Sequence, residues 1–147
     1  MPTSQAHASP LKVLIVDDEP LARDRLRALL SDIAGQLPSE VVGEAGNGLA
    51  ALDILREKPV DVVLADIRMP GMDGIELATH LGRLEKPPAV IFTTAYDNYA
   101  VQAFDLNAVD YLLKPVRTQR LLAALQKVPG PQPDSALLAG IGHEMRG

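Results

Sequence analysis

The sequence predicts an α/β fold: one doubly wound parallel sheet of five strands with helices on both faces. Two observations carry that expectation. From Leu11 to Lys127, short apolar runs rich in Val and Ile alternate with longer stretches of helical periodicity in five successive units, the pattern of βαβ construction. Each of four strand-like runs also delivers a polar residue where it ends: Asp17 and Asp18 after Leu11–Val16, Asp66 after Val60–Ala65, Thr94 after Ala89–Phe92, and Lys114 after Val109–Leu113. The carboxyl ends of parallel strands share one edge, so these residues are expected to converge in the crevice where open α/β sheets bind ligands.

The elements follow in order. Leu11–Val16 is an apolar strand, and Pro20 can open the helix after it, in which Ala22, Leu26, Leu29 and Ile33 form a core-facing stripe. Arg23, Asp24, Arg27 and Asp32 are expected to face outward, and Arg23, Arg25 and Arg27 read as an ordinary solvated helix face. Val41–Ala45 is a weaker strand, followed by the helix Leu49–Glu57 with Leu52 and Leu55 inward, closed by Lys58-Pro59. Val60–Ala65 is the clearest buried strand. Gly71–Gly74 turns into a helix at Ile75–Leu84, and Pro87-Pro88 breaks the chain before strand Ala89–Thr93. Strand Val109–Leu113 lies between helices expected at Asn98–Leu106 and Thr118–Val128, the last with Thr118 as N-cap.

At 147 residues with 47% hydrophobic content, the chain is long enough for one substantial core. A net charge of −5 argues against a nucleic-acid-binding surface, which needs clustered Lys and Arg. The absence of Cys removes disulfides, zinc thiolates and thiol catalysis, and fits a reducing, cytoplasmic setting. No apolar run reaches the roughly 18 residues of a transmembrane helix. Residues 1–10 lack secretory-signal features and read as a flexible leader. Pro129-Gly130-Pro131-Gln132-Pro133 has linker composition, so the domain is expected to span residues 11–128, with 129–147 a linker or tail.

One Asp at a strand-to-helix turn is commonly a helix cap. Two adjacent carboxylates at one strand end and a third at another cannot all be caps, and crowding three negative charges is unfavourable unless a cation offsets it. With only oxygen ligands to offer, the set predicts a hard divalent ion such as Mg²⁺, which commonly adds phosphate oxygens to one or two carboxylates. Asp66, central in the set, is the expected nucleophile toward phosphorus, with Lys114 stabilising the transferred group.

These residues occur in motifs: Leu14-Ile15-Val16-Asp17-Asp18-Glu19-Pro20, Asp66-Ile67-Arg68-Met69-Pro70-Gly71-Met72-Asp73-Gly74, Thr94-Ala95 and Lys114-Pro115. In that order they resemble the receiver domain of two-component response regulators. The segments Thr94–Phe104 and Asp110–Pro115 further resemble the LytTR-type transcriptional regulators, the alginate-regulator kind among them. The resemblance implies a flavodoxin-like strand order 2-1-3-4-5 and a phosphorylation-controlled switch rather than an enzyme. It implies Asp66 as phosphoacceptor, Mg²⁺ held by Asp18, Asp66 and the Arg68 backbone carbonyl with Asp17 acting through water, Lys114 pairing with the phosphoryl group, and a cis bond to Pro115. Thr94 and Tyr111 would be the switch pair, carrying the change to the last two helices and the last strand. Partners implied are a histidine kinase, for which the first helix is the usual dock, and DNA only through an output domain absent from this chain. A homodimer through the last two helices and last strand is also implied, with charge pairing from Asp110, Arg117 and Arg120.

Two decoys and two alternatives stand beside this reading. Gly46-Asn47-Gly48-Leu49-Ala50-Ala51 fits a dinucleotide fingerprint, but that motif belongs in the first βα turn, which here is the acidic Asp17–Pro20. A haloacid-dehalogenase-type phosphatase needs a second acid two positions after its nucleophile, and Arg68 stands there. The alternatives are a stand-alone receiver and an aspartyl-phosphate phosphatase. His7, His80 and His143 share no spacing with other ligands and are assigned no role.

Overall fold

The computed structural model describes residues 9–96 and 106–129. The described elements are β1 (Leu11–Val16), α1 (Pro20–Asp32), β2 (Ser39–Ala45), α2 (Gly48–Glu57), β3 (Val62–Asp66), α3 (Gly74–Leu81), β4 (Ala89–Thr94), β5 (Asp110–Leu113) and α4 (Thr118–Gln126). The helix expected at Asn98–Leu106 lies outside the described residues apart from Leu106, which is in a turn. All strand pairs are parallel, in the order β2-β1-β3-β4-β5 that the motifs imply.

Strand alternation divides the core into two layers. Val13, Ile15, Leu64, Ile91 and Leu112 face α1 and α4, against Leu26, Leu29, Leu121 and Leu125. Leu14, Val16, Val63, Ala65 and Phe92 face α2 and α3, against Ala51, Leu77 and Leu81. β3, between β1 and β4, is buried along its whole length, which is why its sequence shows no polar alternation. Each fully buried Leu, Ile or Phe contributes roughly 2 kcal/mol of apolar transfer, so both layers help hold the helices onto the sheet.

Local chemistry sets the helix ends. Pro20 stands in the first turn of α1. Asn47 caps α2 by accepting from the Ala50 N–H at 2.8 Å, and Lys58 before Pro59 is extended, ending that helix. The glycines of the supposed fingerprint thus flank a cap, and a Cβ on Gly48 would meet the Met72 side chain at 2.6 Å. At α3, Asp73 accepts from the Glu76 N–H at 2.8 Å while Glu76 accepts from the Asp73 N–H at 3.3 Å. This reciprocal capping box is written in the sequence as Asp-x-x-Glu; Asp73→Ala is expected to lower stability by about 1 kcal/mol, measurable by urea denaturation.

Several expectations need correction. Thr118 is the first helical residue of α4, not its cap: the chain stays extended through Arg117, which occupies the cap position with no side-chain bond. β3 starts at Val62 rather than Val60, and α3 ends at Leu81 rather than Leu84. Arg25 and Arg27 of α1 are exposed, as expected of a solvated face, but the α1 arginines are not free. Arg23 donates to the Asp17 carbonyl at 2.7 Å and pairs with Glu44 at 3.1 Å, Arg27 also pairs with Glu44, and Arg25 donates to the Val116 carbonyl at 2.8 Å. The Arg27 hydrogen bond is the largest influence holding the Glu44 carboxyl below its usual range. Asp110 is similarly engaged within its own chain, by Arg120 at 3.1 Å and Lys127 at 2.9 Å. Burial pushes its carboxyl up, but those two hydrogen bonds win and hold it low.

Candidate functional site

The site forms where β1, β3, β4 and β5 end. Parallel pairing of β1 to β3 puts Val16 beside Ala65, so Asp17 and Asp18 emerge next to Asp66, the last residue of β3. Carboxylate oxygens of Asp17, Asp18 and Asp66 all lie within 4.8 Å of one another. Asp17 is fully buried and Asp66 nearly so, while Asp18 is exposed. One Asp17 oxygen accepts from the Glu19 N–H at 2.9 Å; the other accepts from Lys114 Nζ at 2.8 Å. Lys114 Nζ also lies 3.4 Å from Asp66 and 3.9 Å from Glu19. The structure therefore brings Asp17, Asp18, Asp66 and Lys114 into one small volume, and the Lys114–Pro115 peptide bond is cis.

The acids are not electrostatically at ease. Burial, reinforced by the negative charge of Asp17, pushes the Asp66 carboxyl up to about 6 in spite of Lys114 beside it. Burial would lower Lys114, but its hydrogen bond to Asp17 and the charge of Asp66 outweigh that and hold the ammonium more firmly protonated. One lysine against three carboxylates leaves a net negative pocket of oxygen donors open on the Asp18 side. That is the chemistry of a hard-cation site.

Thr94 adjoins the site lysine, its carbonyl accepting from the Lys114 N–H at 2.7 Å. Thr94, the last residue of β4, is buried and its hydroxyl accepts from the Tyr96 N–H at 3.2 Å. Tyr111 on β5 is half-buried and donates through its hydroxyl to the Tyr96 carbonyl. The Arg68 guanidinium lies over the Tyr96 ring, 4.8 Å from its centroid. Tyr96 is thus a junction between the rim and β5. Sequence reasoning gave it no role; an aromatic two residues past the strand-end threonine was the available signal.

A doubly wound parallel sheet whose carboxyl rim gathers three acids and a lysine defines a phosphoacceptor-type signalling domain rather than a dinucleotide-binding one. The model of the response regulator receiver domain matches residues 13–126, and the chain belongs to that family. It is 50% identical over 121 residues to a positive alginate biosynthesis regulatory protein of Pseudomonas aeruginosa, covering 82% of this chain and 48% of that protein. It is 45% identical over 118 residues to the transcriptional regulatory protein LytR of Staphylococcus aureus, covering 80% of this chain and 47% of the relative. The chain therefore spans about half the length of these curated relatives. Among solved structures, the response regulatory domain of mrkE from Klebsiella pneumoniae is similar at a TM-score of 0.73 and 38% identity, over 80% of this chain and 94% of that one. Among the described residues, no helix is long and apolar enough to cross a membrane.

Proposed function

We propose that this receiver is a phosphorylation-controlled switch whose phosphoacceptor is Asp66. The observation that carries the reading is the packing of three carboxylates within 4.8 Å of one another, with Lys114 Nζ within hydrogen-bonding or ion-pair reach of two of them. Asp17, Asp18, Asp66 and the Arg68 carbonyl would hold Mg²⁺, the fit resting on the all-oxygen donor set and on three carboxylates facing the one Lys114 ammonium. Bound Mg²⁺ would supply charge neutralisation for the phosphoryl oxygens. A carboxylate oxygen of Asp66 attacks phosphorus on a partner histidine kinase or a small acyl phosphate; the P–O bond to Asp66 forms and the bond to the donor's nitrogen or oxygen breaks. Lys114, already 3.4 Å from Asp66, would shift its ammonium toward the new phosphoryl oxygens.

Thr94 would turn its hydroxyl from Tyr96 to the phosphoryl group, and loss of that bond would free the Tyr96–Tyr111 contact, altering the surface at β5 and α4. The output is a transcriptional DNA-binding domain reached through the linker that starts at Pro129, in keeping with the regulators this chain resembles. Residues 1–10 serve as a leader, and the setting is cytoplasmic. Self-association through β5 and α4 would leave Asp110 with its own Arg120 and Lys127, so of these groups Arg117, with no ion pair among the described residues, would act between copies. An aspartyl-phosphate phosphatase is the weaker reading, because Arg68, in the place of the second acid, is stacked on Tyr96.

Acetyl phosphate with Mg²⁺ is expected to add one phosphoryl group per chain by intact-mass spectrometry, and Asp66→Asn to abolish it. Modification unaltered in the variant would refute Asp66 as acceptor, and phosphate release far beyond one equivalent would favour the phosphatase.

A further inference from the structure

Arg23 of α1 reaches the backbone of the acid cluster. Its Nη1 donates to the Asp17 carbonyl at 2.7 Å, while its Nε pairs with Glu44 Oε1 at 3.1 Å. The Arg23 side chain is 21% exposed, so the fork is held mostly out of water. Glu44 is in turn gripped from two sides, because its other oxygen takes Arg27 Nε one turn along the helix. Strand alternation puts it there: Ala45 packs into the α2 and α3 layer, so Glu44 before it faces α1.

The carbonyl that Arg23 holds lies just where the chain leaves β1. On the near side, the Asp17 N–H bonds the Ala45 carbonyl at 3.0 Å, and the Asp17 side chain is fixed by the Glu19 N–H and by Lys114. Asp18 lacks such support. It is exposed, and among the described residues its carboxylate has no hydrogen bond or ion pair, so its backbone sets where that carboxylate stands. The Asp17 carbonyl and the Asp18 N–H belong to one planar peptide, and an anchor on the oxygen fixes the plane from which Asp18 departs. A guanidinium, with its donors in a rigid fork, can bridge Glu44 and that oxygen at once; an ammonium is a single point charge.

We propose that Arg23 is a positioning residue for the metal site: through the Asp17–Asp18 peptide it holds the Asp18 carboxylate toward Asp66, and Glu44 aims Arg23 at that peptide. This role presupposes the assignment of Asp17, Asp18 and Asp66 as Mg²⁺ ligands. Its signature is the sign of a change. A cation beside the acids opposes a divalent ion by charge alone, so removing Arg23 without moving Asp18 would leave Mg²⁺ affinity unchanged or raise it. Removing the anchor of the peptide lowers it.

The test is an NMR titration of the full chain with Mg²⁺. Arg23→Met, which keeps the apolar stem, should bind Mg²⁺ about tenfold more weakly, the low end for loss of an outer partner of a metal ligand. Arg23→Lys, which keeps the charge but not the fork, should be weakened too, and Glu44→Gln, which keeps the shape, weakened by a smaller factor. In an Asp18→Asn background Arg23→Met should cost no more than about twofold, because two changes that act through the same carboxylate are not additive. An Arg23→Met affinity equal to or above the parent's overturns the proposal, as does a weakening that repeats in full on Asp18→Asn. Where Arg23→Met fails to fold, Arg23→Lys and Glu44→Gln decide the matter by the same criteria. A parent chain that takes up no Mg²⁺ refutes the metal site and this role with it; a parent that binds Mg²⁺ no better than the Arg23 variants refutes the role alone.

Discussion

Gly74→Ala is expected to lower stability by about 3 kcal/mol, the upper end of overpacking costs, and to depress the melting temperature by roughly 10 °C. Gly74 opens α3, and its N–H donates to the Ile67 carbonyl at 2.8 Å, so the helix sits directly on the turn leaving β3. A Cβ at this position would lie 2.3 Å from the Asp66 carbonyl oxygen and 2.9 Å from the Ile67 Cα. Those are backbone atoms of the buried central strand, not a side-chain tip that can swing aside. Relief requires α3 to move off the sheet or the end of β3 to shift, and either displaces Asp66 from Asp17 and Asp18. The variant should therefore also bind Mg²⁺ more weakly. Circular dichroism melts check the first effect and a Mg²⁺ titration the second; a melting temperature within about 2 °C of the parent would show that the turn yields more easily than its packing indicates.

Lys114→Met should be the most damaging change at the site short of removing the acceptor carboxylate itself. Methionine keeps the length and apolar stem but removes the cation 2.8 Å from Asp17 and 3.4 Å from Asp66. Breaking a buried ion pair costs about 3–5 kcal/mol; with the Lys114 side chain 23% exposed, about 2 kcal/mol is expected at neutral pH without Mg²⁺. Phosphoryl acceptance should fall on the order of 100-fold, as for loss of one preorganised charge at a reacting group. Mass spectrometry with acetyl phosphate reads that rate, and an unchanged rate would remove Lys114 from the chemistry.

The same variant sharpens a pH dependence. Asp66 titrates near 3.8 when unfolded and at about 6 in the folded chain, so between those values the folded protein holds a proton that the unfolded chain has released. Metal-free stability therefore falls as pH rises through that window, by at most about 3 kcal/mol, and is flat above it. Since Lys114 opposes the rise, its removal extends the decline beyond pH 6. Urea denaturation at a series of pH values would show the decline ending at higher pH in Lys114→Met than in the parent. Both curves should flatten in saturating Mg²⁺ if the acids hold the ion.

The strands and their order of appearance were legible because β3 and β4 are apolar without interruption, and the polar residues at their ends were legible because nothing apolar could explain them. Helix stops were legible where proline forbids continuation, as at Lys58-Pro59. The Asp73-x-x-Glu76 box is equally explicit in the sequence, between the turn glycines Gly71 and Gly74 and the apolar run of α3. Thr118 misled because a threonine before an apolar run is a valid cap signal, and only the backbone path through Arg117 shows that the helix begins one residue earlier than that cap requires.

By itself, the sequence determined the order of the described strands and helices, their bounds to within a few residues, and which chemical groups end each strand, because hydrophobic period and turn chemistry act over a few neighbouring residues. Tertiary structure alone decided that Glu44 takes up two arginines of α1, that Tyr96 links Thr94 to Tyr111, and that Arg23 reaches the Asp17 carbonyl. Those facts depend on strand register and on how far a helix stands off the sheet, and such distances between residues remote in the chain leave no periodic trace along it.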